Sequence, residues 1–269
     1  MELTATSEQQ ESYRKGDPFP HIVVDGLFPN EVLEEILAEF PKPREMDWRS
    51  YDSATEKKLG MRVGNKIGDN SQKFLHYLNS PPVLKFLESL TGIEGLIPDP
   101  YYLGGGLHQI ERGGFLKIHA DFNWHEAMKV HRRINLLIYL NKDWEDSFGG
   151  HLELWDGREA GGLRKKIAPL FGRCVVFNTT DFAYHGHPDP LACPEDRTRK
   201  SIALYYYSAT RPANELTQEH GTLFLKRHQG EWNETTLTKT KRIIRDMIPP
   251  LLLAGLRRLP LRGKKLEDF

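Results

Sequence analysis

The sequence predicts an α+β protein whose helices come first and whose core is built from short strands. Two observations predict it. Two segments before about residue 95 carry helical periodicity, and residues from about 100 to 208 switch to two-residue alternation broken by turns. Many short strands at this spacing close into a sandwich or barrel rather than parallel α/β units. No repeat of 20–50 residues is visible.

Residues 1–16 are polar and read as a flexible tail. A strand is expected in "FPHIVVDGLF", stopped by Asp25-Gly26. "PNEVLEEILAEFP" sets Val32, Leu33, Ile36, Leu37 and Phe40 on one helical face, with Asn30 as the expected N-cap and Pro41 as the stop. Residues 46–70 have no clean period and read as loop with short strands; Trp48, Tyr51 and Met61 there suit either a lid or a satellite of the core. "SPPVLKFLESLTG" is a second helix, opened by proline and closed by Gly92.

In "RRINLLIYLNKDW", Ile134, Leu136, Ile138 and Leu140 share one face of a strand, and Asn135, Leu137, Tyr139 and Asn141 the other. "FGGHLELWD", "GRCVVFNTT" and "TRKSIALYYYS" supply further strands. The expected organisation is a single domain over 17–235, with a helical lead-in at about 17–95 and a β core at about 100–210. A basic and apolar C-terminal helical segment, 236–269, follows, with Pro249-Pro250 interrupting any helix. That segment reads either as a helix packed on the barrel or as a contact for a membrane surface or a partner.

Composition narrows the function. Lys+Arg and Asp+Glu number 37 each, so no global charge favours nucleic acid, and none is expected as a partner. Two cysteines, Cys174 and Cys193, make no disulfide framework. Neither a secretory leader nor a run of about 18 apolar residues is seen, so the expected location is cytoplasmic.

The chemistry concentrates in "GGFLKIHADFNWHE". His119 and Asp121 are two apart on a strand and point the same way, as two adjacent corners of a metal site. The third corner is expected from His185 or His187 in "AYHGHP", which parity alone does not separate. Two imidazoles and one carboxylate suit a non-haem Fe(II) that keeps positions open for a chelating co-substrate and dioxygen. Structural zinc would favour cysteine, and neither cysteine is near in sequence. An enzyme of that kind must hold a dicarboxylate. In "TRKS", Arg199 and Ser201 share a face, and a guanidinium fork beside a hydroxyl suits that task; Lys200 points away. His125 is expected to be exposed or to support the ligands, and His108 and His131 to lie at the surface. Asn135 and Tyr139 face inward as barrel lining or as cofactor contacts.

H-x-D, a distal histidine and R-x-S together resemble the Fe(II)/2-oxoglutarate-dependent oxygenases. Within them "INLLIYLNKDWEDSFGGHLELW" is similar to the prolyl 4-hydroxylase-like branch. The resemblance spans roughly residues 100–208, and "FPHIVVDGLFPNEVLEEILAEFP" is similar to the helical lead-in of such enzymes. It implies a double-stranded β-helix (jelly roll) and an oxidoreductase, a dioxygenase that hydroxylates a C–H bond of a small-molecule or peptidyl substrate. The implied cofactors are Fe(II), 2-oxoglutarate, which leaves as succinate and carbon dioxide, and O2, with ascorbate as an auxiliary reductant. It favours His185 over His187 as the distal ligand and gives Tyr139 a contact to the distal carboxylate of 2-oxoglutarate. Gln109 falls near a position where prolyl hydroxylases often carry tyrosine, implying a co-substrate contact there. The carboxylate of Asp121 favours hydroxylation over halogenation. Two other readings remain: a jelly-roll protein that binds metal without turnover, and a cupin-like isomerase or lyase that would not need Arg199.

Overall fold

The computed structural model describes residues 3–158 and 162–232. Residues Met1–Gln229 form one compact unit. Its first part holds α1 (Ser7–Arg14), β1 (His21–Asp25), α2 (Asn30–Ala38), β2 (Arg49–Asp52) and β3 (Glu56–Gly60), then α3 (Asp69–Leu78) and α4 (Pro81–Thr91). The strands of the core follow: β4 (Ile97–Pro98), β5 (Gly106–Ile110), β6 (Phe115–Ala120), β7 (Trp124–His125) and β8 (Val130–Tyr139). They continue with β9 (Leu152–Asp156), β10 (Leu163–Ile167), β11 (Arg173–Asn178), β12 (Ala183–His187), β13 (Arg199–Ser208) and β14 (Leu223–Phe224).

The N-terminal stretch is not a loose tail. Thr6 accepts from the Gln9 amide while the Gln9 side chain accepts from the Thr6 amide, a capping box that starts α1. Tyr13 is buried and belongs to the main core. Polarity misled the expectation, since a single anchoring aromatic and a good cap suffice to fix a two-turn helix against a packed neighbour. Asn30 is the first residue of α2 rather than its cap; Pro29 takes the cap position and no side chain bonds the helix start. Helix α3 was not anticipated. Its buried Ser71, Phe74, Leu75 and Leu78 keep a helical rhythm, but it is a short run after an aperiodic stretch. Helix α4 matches its expected bounds, with proline in its first turn and Gly92 in the left-handed region at φ 72°.

The strands form a curled, almost wholly antiparallel sheet in the order β1-β11-β8-β13-β5-β3-β6-β12-β9-β10. Strand β3 turns the corner: Leu59 and Gly60 pair with β5, while Glu56 and Lys57 pair with β6. One five-residue strand thus joins the two halves of a double-stranded β-helix. The half containing β8 and β13 lays Ile134, Leu136, Ile138, Ile202 and Leu204 against helix residues Leu33, Ile36, Leu75 and Leu87. Burying each such side chain is worth about 1.5–3 kcal/mol, so the helical lead-in stiffens this half from outside. The opposite face of the same strands carries Asn135, Tyr139 and Ser201 into the interior, where Val175 and Phe177 meet Leu152, Leu154 and Ala183 from the other half. The alternation in "INLLIY" therefore separates structural from interior positions as expected. Trp48 and Met61 join the core, Trp48 stacked on Phe40 at 6.2 Å between ring centres. The expected C-terminal segment, 236–269, and its membrane or partner contact lie outside the described residues.

Candidate metal and co-substrate site

His119 on β6 and His185 on β12 are directly paired across the antiparallel ladder, so their side chains leave the sheet on the same face. Their ring centres are 4.4 Å apart. Asp121 follows the end of β6 by one residue and turns its carboxylate between them: His119 Nε2 lies 3.6 Å from Oδ1 and His185 Nε2 3.5 Å from Oδ2. Among the described residues these three form the group whose ligand atoms all lie within 4.8 Å of one another. The separations exceed hydrogen-bond range and approach those of two ligands about 2.1 Å from a shared ion.

The backbone settles which ring nitrogens face inward. His119 Nδ1 is 2.9 Å from the Lys117 carbonyl and His185 Nδ1 3.2 Å from that of Ala183. A carbonyl only accepts, so each Nδ1 carries the proton and each Nε2 turns a lone pair to the centre. Burial lowers the pKa of His185 to about 3 despite the nearby Asp121 carboxylate, which keeps the ring neutral and able to ligate. Burial pushes the Asp121 carboxyl up, but Arg132 and the two histidines outweigh it and hold it well below the usual range. Donor set, tautomers and charge fit a divalent cation.

Asp121 is itself held. Arg132 Nη2 donates to Oδ2 at 2.9 Å and Asn135 Nδ2 donates to the same oxygen at 2.7 Å. The guanidinium lies 3.4 Å from the Tyr205 ring centre and 4.5 Å from that of Phe122, an aromatic clamp that leaves it little freedom. Phe224 packs on His119 and Phe177 on His185, so the imidazoles cannot swing.

A second group of polar residues is contributed by β13 and its neighbours. Arg199 is buried, donates from Nε to the Gly150 carbonyl at 2.7 Å and reaches the Tyr139 hydroxyl from Nη2 at 3.3 Å. Ser201 lies opposite Tyr139 on β8 and opposite His108 on β5, so the three side chains form an inward row. The Gly149-Gly150 turn has a specific task. Gly150 has φ 73°, and a Cβ there would sit 2.9 Å from Arg199 Cδ and 2.6 Å from Leu191. Only glycine lets the arginine pass so close to the chain.

Three expectations need correction. Gln109 pairs with Lys200, not with Ser201, and so faces the helices; its amide donates to the Pro41 carbonyl and accepts from Thr198. A one-residue step along a strand exchanges faces, and the inward position belongs to His108. His108 is half-buried rather than at the surface, and the burial of its ring, with Lys58 also bearing on it, lowers its pKa to about 3. His125 is buried but lies away from the metal ligands, 3.7 Å from Asp99 and edge-on to Tyr207. His187, the other candidate for the distal ligand, pairs with Leu116 after a register slip and does not join the His119–Asp121–His185 group. Arg132 was missed altogether. Its signal was a buried arginine inside an apolar strand, which only a nearby carboxylate makes tolerable.

A curled antiparallel β-helix with two histidines and an aspartate inside it, beside a buried arginine, defines a class. Residues 105–207 match the model of the 2OG-Fe(II) oxygenase superfamily, so this part of the chain is similar to that superfamily. Particular relatives agree. A stretch of 104 residues, 35% of this chain and 19% of the relative, is 29% identical to Prolyl 3-hydroxylase OGFOD1 of Mus musculus; the match spans about a fifth of that relative's length. The fold is similar to that of a Pseudomonas putida prolyl-4-hydroxylase, with a TM-score of 0.54 and 15% identity over 74% of this chain and 98% of that one. It is also similar to HygX from Streptomyces hygroscopicus with nickel and 2-oxoglutarate bound, with a TM-score of 0.53 and 13% identity over 83% of this chain and 98% of that one.

Proposed function

We propose that the protein is an Fe(II)- and 2-oxoglutarate-dependent hydroxylase, and that its substrate presents a C–H bond at the metal face left open by His119, Asp121 and His185. The observation that carries this reading is that one curled sheet holds both the three-residue metal group and the Arg199–Tyr139–Ser201 row. Bound at that group, Fe(II) with 2-oxoglutarate and O2 supplies oxidation of the C–H bond, 2-oxoglutarate leaving as succinate and carbon dioxide.

The chain's own part is to bind, orient and exclude water. Arg199 grips the far carboxylate of 2-oxoglutarate through charge-assisted hydrogen bonds, with the Tyr139 hydroxyl beside it. Arg132 and Asn135 hold Asp121 on one rotamer, and Phe177 and Phe224 shield the imidazoles from solvent. A non-catalytic metal binder would not need a buried guanidinium that, among the described residues, has no carboxylate partner. A cupin-like isomerase or lyase would not need it either.

The first substrate class to test is a prolyl residue in a peptide, because the mouse relative is a prolyl 3-hydroxylase. Small molecules form the second, since HygX has also been seen with hygromycin B bound. Ascorbate serves in the assay as an auxiliary reductant. The test is succinate release from 2-oxoglutarate by the Fe(II)-loaded chain, alone and with a panel of prolyl peptides and small hydroxylatable metabolites. Substrate-stimulated, Fe(II)-dependent succinate with one oxygen atom added to a substrate supports the proposal. No succinate above the metal-free control overturns it.

A further inference from the structure

His187 has no assigned task, and its surroundings are unusual. It is 4% exposed, and neither ring nitrogen has a hydrogen-bond partner. A neutral imidazole always carries one donor and one acceptor, and burying both unbonded forfeits their hydration with no return. Strand β12 turns His185 and His187 to the same interior, but the register slip between them carries His187 off the metal group, to a partner at Leu116. The titratable groups that bear on it are Arg199, Lys58 and His119. It therefore lies in the interior that β12 shares with the metal group, within the electrostatic reach of Arg199 and Lys58.

We propose that His187 is a co-substrate-binding residue whose N–H donates to the carboxylate held by Arg199. This rests on the reading of the protein as a 2-oxoglutarate enzyme. An anionic oxygen entering beside Arg199 supplies the acceptor that the imidazole lacks, and the guanidinium and imidazole then grip one carboxylate from two directions. The diacid's length is thereby gauged: a chain one methylene shorter than 2-oxoglutarate cannot reach both the metal and the pair of donors.

The test is calorimetric titration of 2-oxoglutarate and of oxaloacetate into the Ni(II)-loaded full chain, for the wild type, His187→Leu and His187→Gln. Leucine fills a similar volume without polar atoms, and glutamine keeps a donor. His187→Leu is expected to weaken 2-oxoglutarate binding about tenfold or more, to bind Ni(II) as the wild type does, and to narrow the preference over oxaloacetate. His187→Gln is expected to recover most of the affinity, and His187→Ala, which also removes the donor, replaces the leucine variant with the same expected and overturning results if that one does not fold. Wild-type affinity in His187→Leu overturns the proposal, as does loss of Ni(II) binding, which would make His187 a metal ligand. If the wild type binds Ni(II) but not 2-oxoglutarate, the functional reading falls and His187's role with it. Equal binding by wild type and His187→Leu removes only the latter.

Discussion

Arg132 donates to Asp121 across 2.9 Å while its guanidinium is clamped between the rings of Tyr205 and Phe122. The aspartate is a candidate metal ligand, and the arginine decides both its charge and its orientation. Asn135 completes the grip by donating to the same oxygen. Asn135→Leu is expected to weaken Ni(II) or Fe(II) binding about tenfold, read by chelator competition, with the circular-dichroism spectrum unchanged. Unchanged metal affinity would show that Asp121 is oriented without its support.

Removing ligands outright should separate the two candidate distal histidines. Asp121→Ala and His185→Ala are each expected to abolish Fe(II)-dependent succinate formation and to lower metal affinity at least a hundredfold. A His185→Ala protein that still loaded metal normally would return the distal position to another residue.

Arg199→Gln should leave metal binding intact and raise the KM for 2-oxoglutarate at least a hundredfold, because a charge-assisted fork is replaced by a neutral amide. Succinate assays over a range of 2-oxoglutarate concentrations check it. A KM within threefold of the wild type would favour the alternatives that need no diacid anchor.

Gly150→Ala tests the same anchor from behind. With φ at 73° and a Cβ 2.9 Å from Arg199 Cδ, the substitution must displace the arginine or strain the turn. The expected result is a KM for 2-oxoglutarate raised about tenfold with metal affinity retained. An unaffected KM would mean that the turn gives way and the arginine does not.

Acid should destabilise the metal-free protein in a defined window. His185 is held neutral in the fold with a pKa of about 3, against about 6.5 in an unfolded chain. Below 6.5 the unfolded chain binds a proton that the folded one refuses, so stability falls as pH drops from 6.5 towards 3. For this group alone the loss between pH 7 and 5.5 is about 1 kcal/mol, and His108, lowered for the same reason, adds in the same direction. Urea midpoints with a chelator present at the two pH values measure it, and a flat or rising stability on acidification would contradict the burial of these rings.

How much could be read before folding depends on range. Alternation in "INLLIY" sorted interior from helix-facing positions correctly, because strand parity is a property of neighbouring residues. His119 with Asp121, and Arg199 with Ser201, were legible as pairs for the same reason. Helix α3 and the docking of α1 were not legible, since a two- or three-turn helix draws its stability from what it packs against rather than from its own residues.

The chain's local pattern was thus enough to set out the α+β order and to name the candidate metal ligands and the candidate anchor for a diacid, all of which follow from chemistry within a few residues. The grouping of His185, already favoured by resemblance, with His119 and Asp121, the exchange of Gln109 for His108, and the hold of Arg132 on Asp121 are visible only in the folded chain. Each depends on which strands lie side by side and in what register. A slip of one residue reverses every face, and no single strand carries that information about its partner.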